Sequence, residues 1–571
     1  MGDSFGSLNR DMGEGTSSVD RISELPDFIL HQILSYLSTK EAAQTGLISK
    51  RWQYVCKTFP ILDCHEWFFG RELDILNPKE LGMPKDERRK IFNQRVKFMS
   101  YVDEKLQRFH EENLCVKKFL LHITLVSNNL ASRVDSWMEL VTDLRVQELD
   151  IYLTVGRERF YVLPMKVLAM ESLTILNLRG CLLSSSFNRD TFKFSSLIEL
   201  HLRDVFIDEA TIQDLIYSIH SLEVLTLKNC LGFEKLEIYD HDTLRKLVYH
   251  PHKGVKAKKL SVKVLNLEEL DFCSVDKDKT ASEIIIDSAC RNLKRLSLSG
   301  IPIDAKWLQS TISSFPLLEH LFLGGCVLQV VMKLSSPVLK EVYICNCRNL
   351  VEAEFDTPNV NSFEYSGRNM PRLNSNSVTG NRVAKLYVHL KNMNTSWFMR
   401  LNNFLRDNKF QDLTLSMTAK SGEEMPFNAE EYNGIQFPPL ELNSMKLVTH
   451  TWTSANYVAL SDGLFWSLRP EILSLELNYY SPEFLKGMLK SLVVEEEPNR
   501  CCSQKNIKCW RHSLKDVKLI NVKGFESNTL LDSKTLSNLT NFLDDWAIDA
   551  QRTVKSYGVL TGETLSFRFS W

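Results

Sequence analysis

Apolar residues recur through most of this chain in one spacing. Two lie three positions apart, a third follows two further on, and then comes another apolar residue or cysteine. Leu173-Leu176-Leu178-Cys181, Leu197-Leu200-Leu202-Val205 and Leu222-Leu225-Leu227-Cys230 carry it in full. It returns as Leu267-Leu270-Phe272-Val275, Leu293-Leu296-Leu298-Ile301, Leu318-Leu321-Leu323-Cys326 and Leu339-Val342-Ile344-Cys347. Weaker copies centre on Phe119, Leu149, Leu247, Phe363, Leu386, Leu413, Met445 and Leu475, and Leu514-Val517-Leu519 follows after a wider gap. Between Leu149 and Leu386 the second positions follow one another at intervals of 21 to 27 residues. Period-two alternation in each copy predicts a short strand that turns its leucines inward and the residues between them outward. The connections between strands read as helical or irregular returns, such as the helix expected over residues 210–218 with Ile212, Leu215 and Ile216.

The first sixty residues follow a different period. From Asp27, Leu30, Ile33, Leu34 and Leu37 share one helical face, and Leu25-Pro26 opens that helix. Ser38 and Glu41 are spaced as a capping box for a second helix carrying Ala42, Ala43 and Leu47. A third, from about Ser49, aligns Trp52, Val55 and Cys56. Three short helices are too few to bury a stable core unaided, so this segment calls for a partner. Residues 65–86 read as irregular, with Pro78, Gly82 and Pro84 as breakers. From Glu87, Phe92, Val96, Met99, Val102, Leu106 and Phe109 predict a bridging helix. Near the end, a polar loop over residues 495–509 precedes a helix at about 534–548, and Leu565, Phe567, Phe569 and Trp571 alternate as a last strand.

Charge and candidate chemistry narrow the function. Lys plus Arg total 69 against 71 Asp plus Glu, a net charge of -2, which argues against generic binding to nucleic acid or to an anionic membrane. No apolar run is long enough to span a bilayer. Residues 1–18 are Gly- and Ser-rich without an apolar stretch, and read as a disordered leader rather than a signal peptide. The 13 cysteines are then expected as thiols, and the N-x-S/T matches at Asn394 and Asn538 as incidental. Cys501, Cys502, Cys509 and His512 cluster without a zinc-ligand spacing, and His241, His250 and His252 give no better case, so no metal or cofactor is expected. Phosphate-loop, nucleophile-elbow, HExxH and RING patterns are absent. Cys181, Cys230, Cys326 and Cys347 stand where the repeat turns out of its strand, as packing residues. A non-catalytic, binding role follows.

The L-P-x-x-x-L-x-x-I-L-x-x-L run (Leu25, Pro26, Leu30, Ile33, Leu34, Leu37) and the S-K-R-W run (Ser49–Trp52) together resemble the F-box. With the repeat array, the chain resembles plant F-box and leucine-rich-repeat proteins. Asp135-Ser136-Trp137, the F-P-L-L-E run at Phe315–Glu319 and S-L-T-I-L-N-L-R-G-C at Ser172–Cys181 add to the likeness. The C-terminal part is similar to the FBD module, on Leu514–Val522 and Lys523-Gly524-Phe525. The resemblance implies an α/β architecture of a short all-helical F-box, a leucine-rich-repeat solenoid and a capping unit. The expected divisions are a leader (1–18), F-box (19–64), linker and bridging helix (65–115), repeats (116–494) and FBD-like cap (495–571). It also implies a substrate-recognition subunit of a Skp–cullin–F-box ubiquitin ligase, cytoplasmic or nuclear, which binds a Skp adaptor, through it a cullin, and a protein to be ubiquitinated. A small-molecule-gated receptor and a repeat scaffold acting outside ubiquitination are the alternatives.

Two sets of residues are expected to carry those contacts. Leu25, Pro26, Leu30, Ile33, Leu34 and Trp52 would serve the adaptor, directly or by holding the three helices together. On the concave face, Arg179, Arg203, Lys228 and His250 follow the third apolar residue of four consecutive repeats and form a basic ladder. Phe322, Tyr343 and Tyr387 form an aromatic zone further along. An acidic or phosphorylated segment would pair with the ladder while an apolar residue enters the zone.

Overall fold

The fold is described from a computed structural model. It describes residues 22–37, 39–70, 84–124, 128–154, 160–183, 189–252, 259–274, 283–350, 352–366, 370, 372–374, 382–389, 392–418, 425, 427–428, 431, 438–449, 457–477, 482–493, 510–520, 522, 524–557 and 564–571. The leader, Ser38 of the capping box, Pro78, Gly82, Val275, the 495–509 loop with Cys501, Cys502 and Cys509, and Lys523 lie outside the described residues. The chain divides into two compact units, Met1–Leu222 and Glu223–Trp571.

In the first unit, helices α1 (Asp27–Ser35), α2 (Thr39–Thr45) and α3 (Lys50–Lys57) form where the periodicity places them. Ser49 caps α3 by accepting a hydrogen bond from the Trp52 amide. Leu30, Leu34, Trp52 and Val55 bury into one small cluster, with Leu25, Ile33, Leu37, Ala42, Cys56 and Phe59 packed around it. Arg51 ties the entrance to this cluster, ion-pairing with Asp27 and donating to the Leu25 carbonyl at 3.2 Å.

Strands begin earlier than the repeat spacing predicts. Directly after α3, β1 (Ile61–His65) runs parallel to β2 (Lys118–Thr124), with Leu62 opposite Phe119. The bridging helix α4 (Lys85–Glu111) is therefore the return between these two strands. Its buried face is Ile91, Arg95, Phe98, Val102, Leu106 and Phe109, while Phe92 and Val96 are exposed. An arginine at one inward position conceals this stripe in the sequence. Arg95 is only 9% exposed because Nε donates to Glu66 Oε1 at 3.2 Å, and Glu66 is itself 1% exposed. The other Glu66 oxygen accepts the buried Thr124 amide. One carboxylate thus holds together the short helix after β1, α4 and β2.

The first sheet continues through β3 (Glu148–Thr154), β4 (Ile175–Arg179) and β5 (Glu199–Arg203), all parallel. Helix α5 (Asn128–Asp143) covers it, and the Trp137 indole donates to Asp103 on α4 at 2.6 Å. The expected helical return is α6 (Glu209–Ser218), burying Ile212, Leu215 and Ile216.

The second unit opens with β6 (Val224–Lys228), β7 (Lys246–His250), β8 (Glu269–Cys273), β9 (Arg295–Ser299), β10 (His320–Gly324), β11 (Glu341–Cys345) and β12 (Ser362–Ser366). The parallel ladder continues as β13 (Val383–His389), β14 (Asp412–Thr418), β15 (Leu440–Thr449) and β16 (Leu468–Glu476). Phe363 pairs with Ala384, so Leu386 occupies the third apolar position of its repeat rather than the second. Several returns are strands instead of helices. Lys235–Tyr239, Lys259–Lys263 and Glu283–Ile286 make one three-stranded parallel sheet, and Val331–Ser335, Glu352–Asp356 and Arg372–Asn374 make another. The capping end is antiparallel. β18 (Thr564–Ser570) lies between β16 and β17 (Asp516–Ile520) and buries Leu565, Phe567 and Phe569. The preceding helix, α7 (Ser533–Tyr557), is longer than the sequence suggests.

Candidate functional site

The residues expected to face an adaptor divide by burial. Leu30, Leu34 and Trp52 are interior and act by holding α1 and α3 together; Leu25 and Ile33 are half-buried and Pro26 is exposed. What the helices offer outward is another set: Ile22, Phe28, Tyr36, Leu47, Ile48 and Tyr54. Leu47 is 86% and Tyr36 81% exposed. All six are large apolar side chains carried on the three-helix segment and open to solvent. Sequence reasoning missed them because helical period identifies the face that packs inward. Leu47, expected on α2, lies beyond its end. His31 supports the cluster from within: Nε2 contacts the Val55 carbonyl at 3.2 Å, and burial holds the imidazole below its ordinary value, against the opposing effect of that hydrogen bond.

On the first unit's sheet, even positions are buried and odd ones face outward, giving rows of side chains across neighbouring strands. Parallel register aligns His65, His122, Tyr152, Arg179 and Arg203 in one such row. His65 Nδ1 and His122 Nδ1 share a hydrogen bond at 3.1 Å, and His122 stacks on Tyr152 at 3.8 Å. Arg179 lies over the Tyr152 ring at 4.2 Å and donates to Asp204 at 2.6 Å. Arg203, at the end of the row, is exposed and makes no ion pair among the described residues. At the other end Trp67 and Phe68 stack on one another, half exposed. One row below, burial raises the Asp150 carboxyl above its ordinary value against the pull of Lys118.

Lys228 and His250 belong to the second unit, where they are register partners. His250 Nε2 lies 3.0 Å from Asp271, whose carboxyl is held below its usual range by that imidazole despite the cost of burial. Phe322 and Tyr343 are also register partners, with ring centroids 6.4 Å apart. Tyr387 falls in the adjacent row, opposite Ser366, and is 40% exposed. This zone carries acid as well as aromatic surface. Tyr343 donates to Glu341 at 2.8 Å, and Tyr387 is pushed up to about 12 by burial and by Glu364. Two of the four ladder residues, Arg179 and His250, thus already have a carboxylate beside them, supplied from the turn beyond a neighbouring strand or from the strand itself.

The repeat cysteines are packed. Cys181, Cys230 and Cys326 are buried and Cys347 half-buried; each thiol approaches the carbonyl two residues before it at 3.6 to 3.7 Å. Burial pushes Cys181 up to about 12. Asn394 caps a helix (Thr395–Asp407), accepting from the Trp397 amide at 2.9 Å.

Comparison with known proteins finds three family matches along the chain. Residues 22–63 match the F-box domain family, residues 134–291 the leucine-rich repeats of the family described as FBD-associated F-box protein At5g56370, and residues 255–531 the At1g61320/AtMIF1 leucine-rich-repeat domain. Among relatives, F-box/LRR-repeat protein At3g59190 of Arabidopsis thaliana is 35% identical over 217 residues, 37% of this chain and 50% of its own length. F-box protein At3g59000 of the same plant is 35% identical over 211 residues, 37% of this chain and 40% of its length. F-box/FBD/LRR-repeat protein At5g56420 is 27% identical over 329 residues, 54% of this chain and 71% of its length. The chain spans about half the length of the first two relatives.

Proposed function

We propose that this chain, which carries an F-box followed by leucine-rich repeats of the FBD-associated kind, is the substrate-recognition subunit of a Skp–cullin–F-box ubiquitin ligase. In this reading the three-helix unit docks on a Skp adaptor that links it to a cullin, and the outward rows of the repeat sheet hold a protein to be ubiquitinated. The chain itself contributes binding and no chemistry. The observation that carries the reading is the small helical cluster whose apolar surface is split between an interior and an unmatched exterior. An amphipathic helical surface received by a partner's groove is a recurrent mode of protein recognition. The tie from Glu66 to Arg95 and Thr124 supports it further, because a receptor must keep its docking end in register with its cargo-holding strands.

Calorimetry with a purified Skp adaptor tests the docking half. Phe28→Ala with Leu47→Ala removes exposed apolar contacts without touching the buried cluster, and should weaken binding by about thirtyfold for each hot-spot residue, at about 2 kcal/mol apiece, and by up to roughly a thousandfold if both are hot spots. Leu25→Ala with Pro26→Ala should weaken it also. Full affinity in both double variants would refute the assignment. For the cargo half, Arg179→Glu with Arg203→Glu should abolish substrate capture and spare adaptor binding. Unchanged ubiquitination of the captured protein would reduce the row to surface.

A further inference from the structure

Within the first unit, a cleft of about 530 Å³ opens between α1–α3, β1, the C-terminal half of α4 and β2. Ligand sites in proteins fall in this size range, with apolar walls and a few polar groups that fix orientation. The walls here are apolar, among them Leu34, Leu37, Leu47, Phe59 and Leu120. Charge is distributed unevenly around them. Lys57, Lys105, Arg108 and Lys118 line the cleft, whereas among the described residues Asp63 is the one carboxylate that does.

The cations are not all matched by protein acids. Lys118 pairs with Glu148 at 3.1 Å, and Arg108 Nη2 donates to the Lys57 carbonyl at 2.8 Å. Arg108 Nε, in contrast, is buried with no hydrogen-bond partner among the described residues. Lys57 and Lys105 make no ion pair among the described residues; the Lys105 ammonium stands 5.1 Å from the Tyr101 ring centre. A buried donor without an acceptor is costly to the fold, and an apolar cavity ringed by unmatched cations is complementary to a molecule with an apolar body and an anionic head.

We infer that this cleft binds a small amphipathic organic anion, a carboxylate or sulfonate on an aromatic or aliphatic frame. Its apolar body rests against Leu37, Leu47 and Phe59, and its anionic group meets Lys57, Lys105 and Arg108. The cleft shares Leu47 with the surface proposed to face the adaptor and borders the outward side of β2 at Lys118 and Leu120, but its test reads probe binding to the chain alone and is therefore distinguishable from a failure of adaptor docking or cargo capture.

The test uses the full chain and two naphthalene probes. One is 1-anilinonaphthalene-8-sulfonate; the other, N-phenyl-1-naphthylamine, has the same ring system without the sulfonate. The sulfonate is expected to bind with a saturable fluorescence enhancement and one site per chain, at least tenfold more tightly than the neutral amine. Lys57→Gln with Lys105→Gln should reduce sulfonate affinity at least tenfold and leave the amine unchanged. Leu47→Glu places a carboxylate at the mouth and should weaken the sulfonate, whereas Leu47→Lys should not. Leu47 is almost fully exposed, so these two variants keep the fold, and circular dichroism checks it. No saturable site, equal affinity for the two probes, or equal affinity of the Glu and Lys variants would each overturn the inference.

Discussion

Replacing Arg95 by methionine would take from the buried Glu66 carboxylate the guanidinium that donates to it from α4. Both side chains are almost completely shielded, Glu66 at 1% and Arg95 at 9% exposure, so solvent does little to soften the loss. Removing one partner of a buried pair costs about 3–5 kcal/mol, most of it the penalty of the stranded charge. Methionine fills much of the volume of the arginine stem, so packing contributes little to that figure. The cost falls on the junction that Glu66 organises, where it also accepts the Thr124 amide. A chain of this length is not expected to unfold in a single transition, and a local probe is the better assay. Hydrogen exchange at Thr124, read by mass spectrometry, should accelerate by roughly a hundredfold or more, since each 1.4 kcal/mol is a factor of ten. Glu66→Gln keeps an oxygen for the amide and should cost less. The double variant should recover stability relative to Arg95→Met alone, as a cycle with positive coupling. Unchanged protection of Thr124 in Arg95→Met would refute the view that this pair clamps the junction.

Other outcomes follow from single features. His31 titrates below its ordinary value of 6.5 in the folded chain, so the unfolded form takes up the proton first. The three-helix cluster should lose stability as pH falls through about 6.5, the loss levelling off below the folded value, and His31→Gln should flatten that dependence in far-ultraviolet dichroism. Gly180→Ala should destabilise the first unit, because φ is +75° and an added methyl would collide with the Leu153 carbonyl oxygen; a melting point equal to the parent's would contradict this. Iodoacetamide should label exposed Cys115 in the native chain well before Cys64 and Cys181, which burial pushes up to about 12, and peptide mapping would reveal any reversal.

Local period was enough to find the helices and most strands, since Leu176 with Leu178 or Leu321 with Leu323 need only alternate to declare which way they point. It fails where a polar residue takes an inward position, as Arg95 does, and there the apolar spacing points to a stripe through Phe92 and Val96, one position from the buried face. β1 lacks the leucine signature, because Ile61–His65 buries one leucine and one cysteine in its place. Return strands such as Lys235–Tyr239 alternate without leading leucines and look like loops. Site chemistry was harder still. Arg179 was legible as an outward cation, but Asp204, which matches it, and Tyr152, on which it stacks, are its neighbours only through parallel register. The row joining His65 to His122 crosses 57 residues of sequence, and no spacing rule reaches that far.

The antiparallel cap bears on how the chain is made. β18 lies between β16 and β17, although it follows both in sequence. A ribosome delivers β16 first, and its pairing edge then waits for a strand that begins 88 residues after Glu476, at Thr564. At ordinary synthesis rates of 5–20 residues per second, that wait is roughly 4–18 s. Through it Leu473 and Leu475 border a strand with unmet backbone groups, the kind of edge that recruits other chains. Nascent chains arrested before Thr564 should therefore be heavier clients of chaperones and proteases than chains that carry this strand.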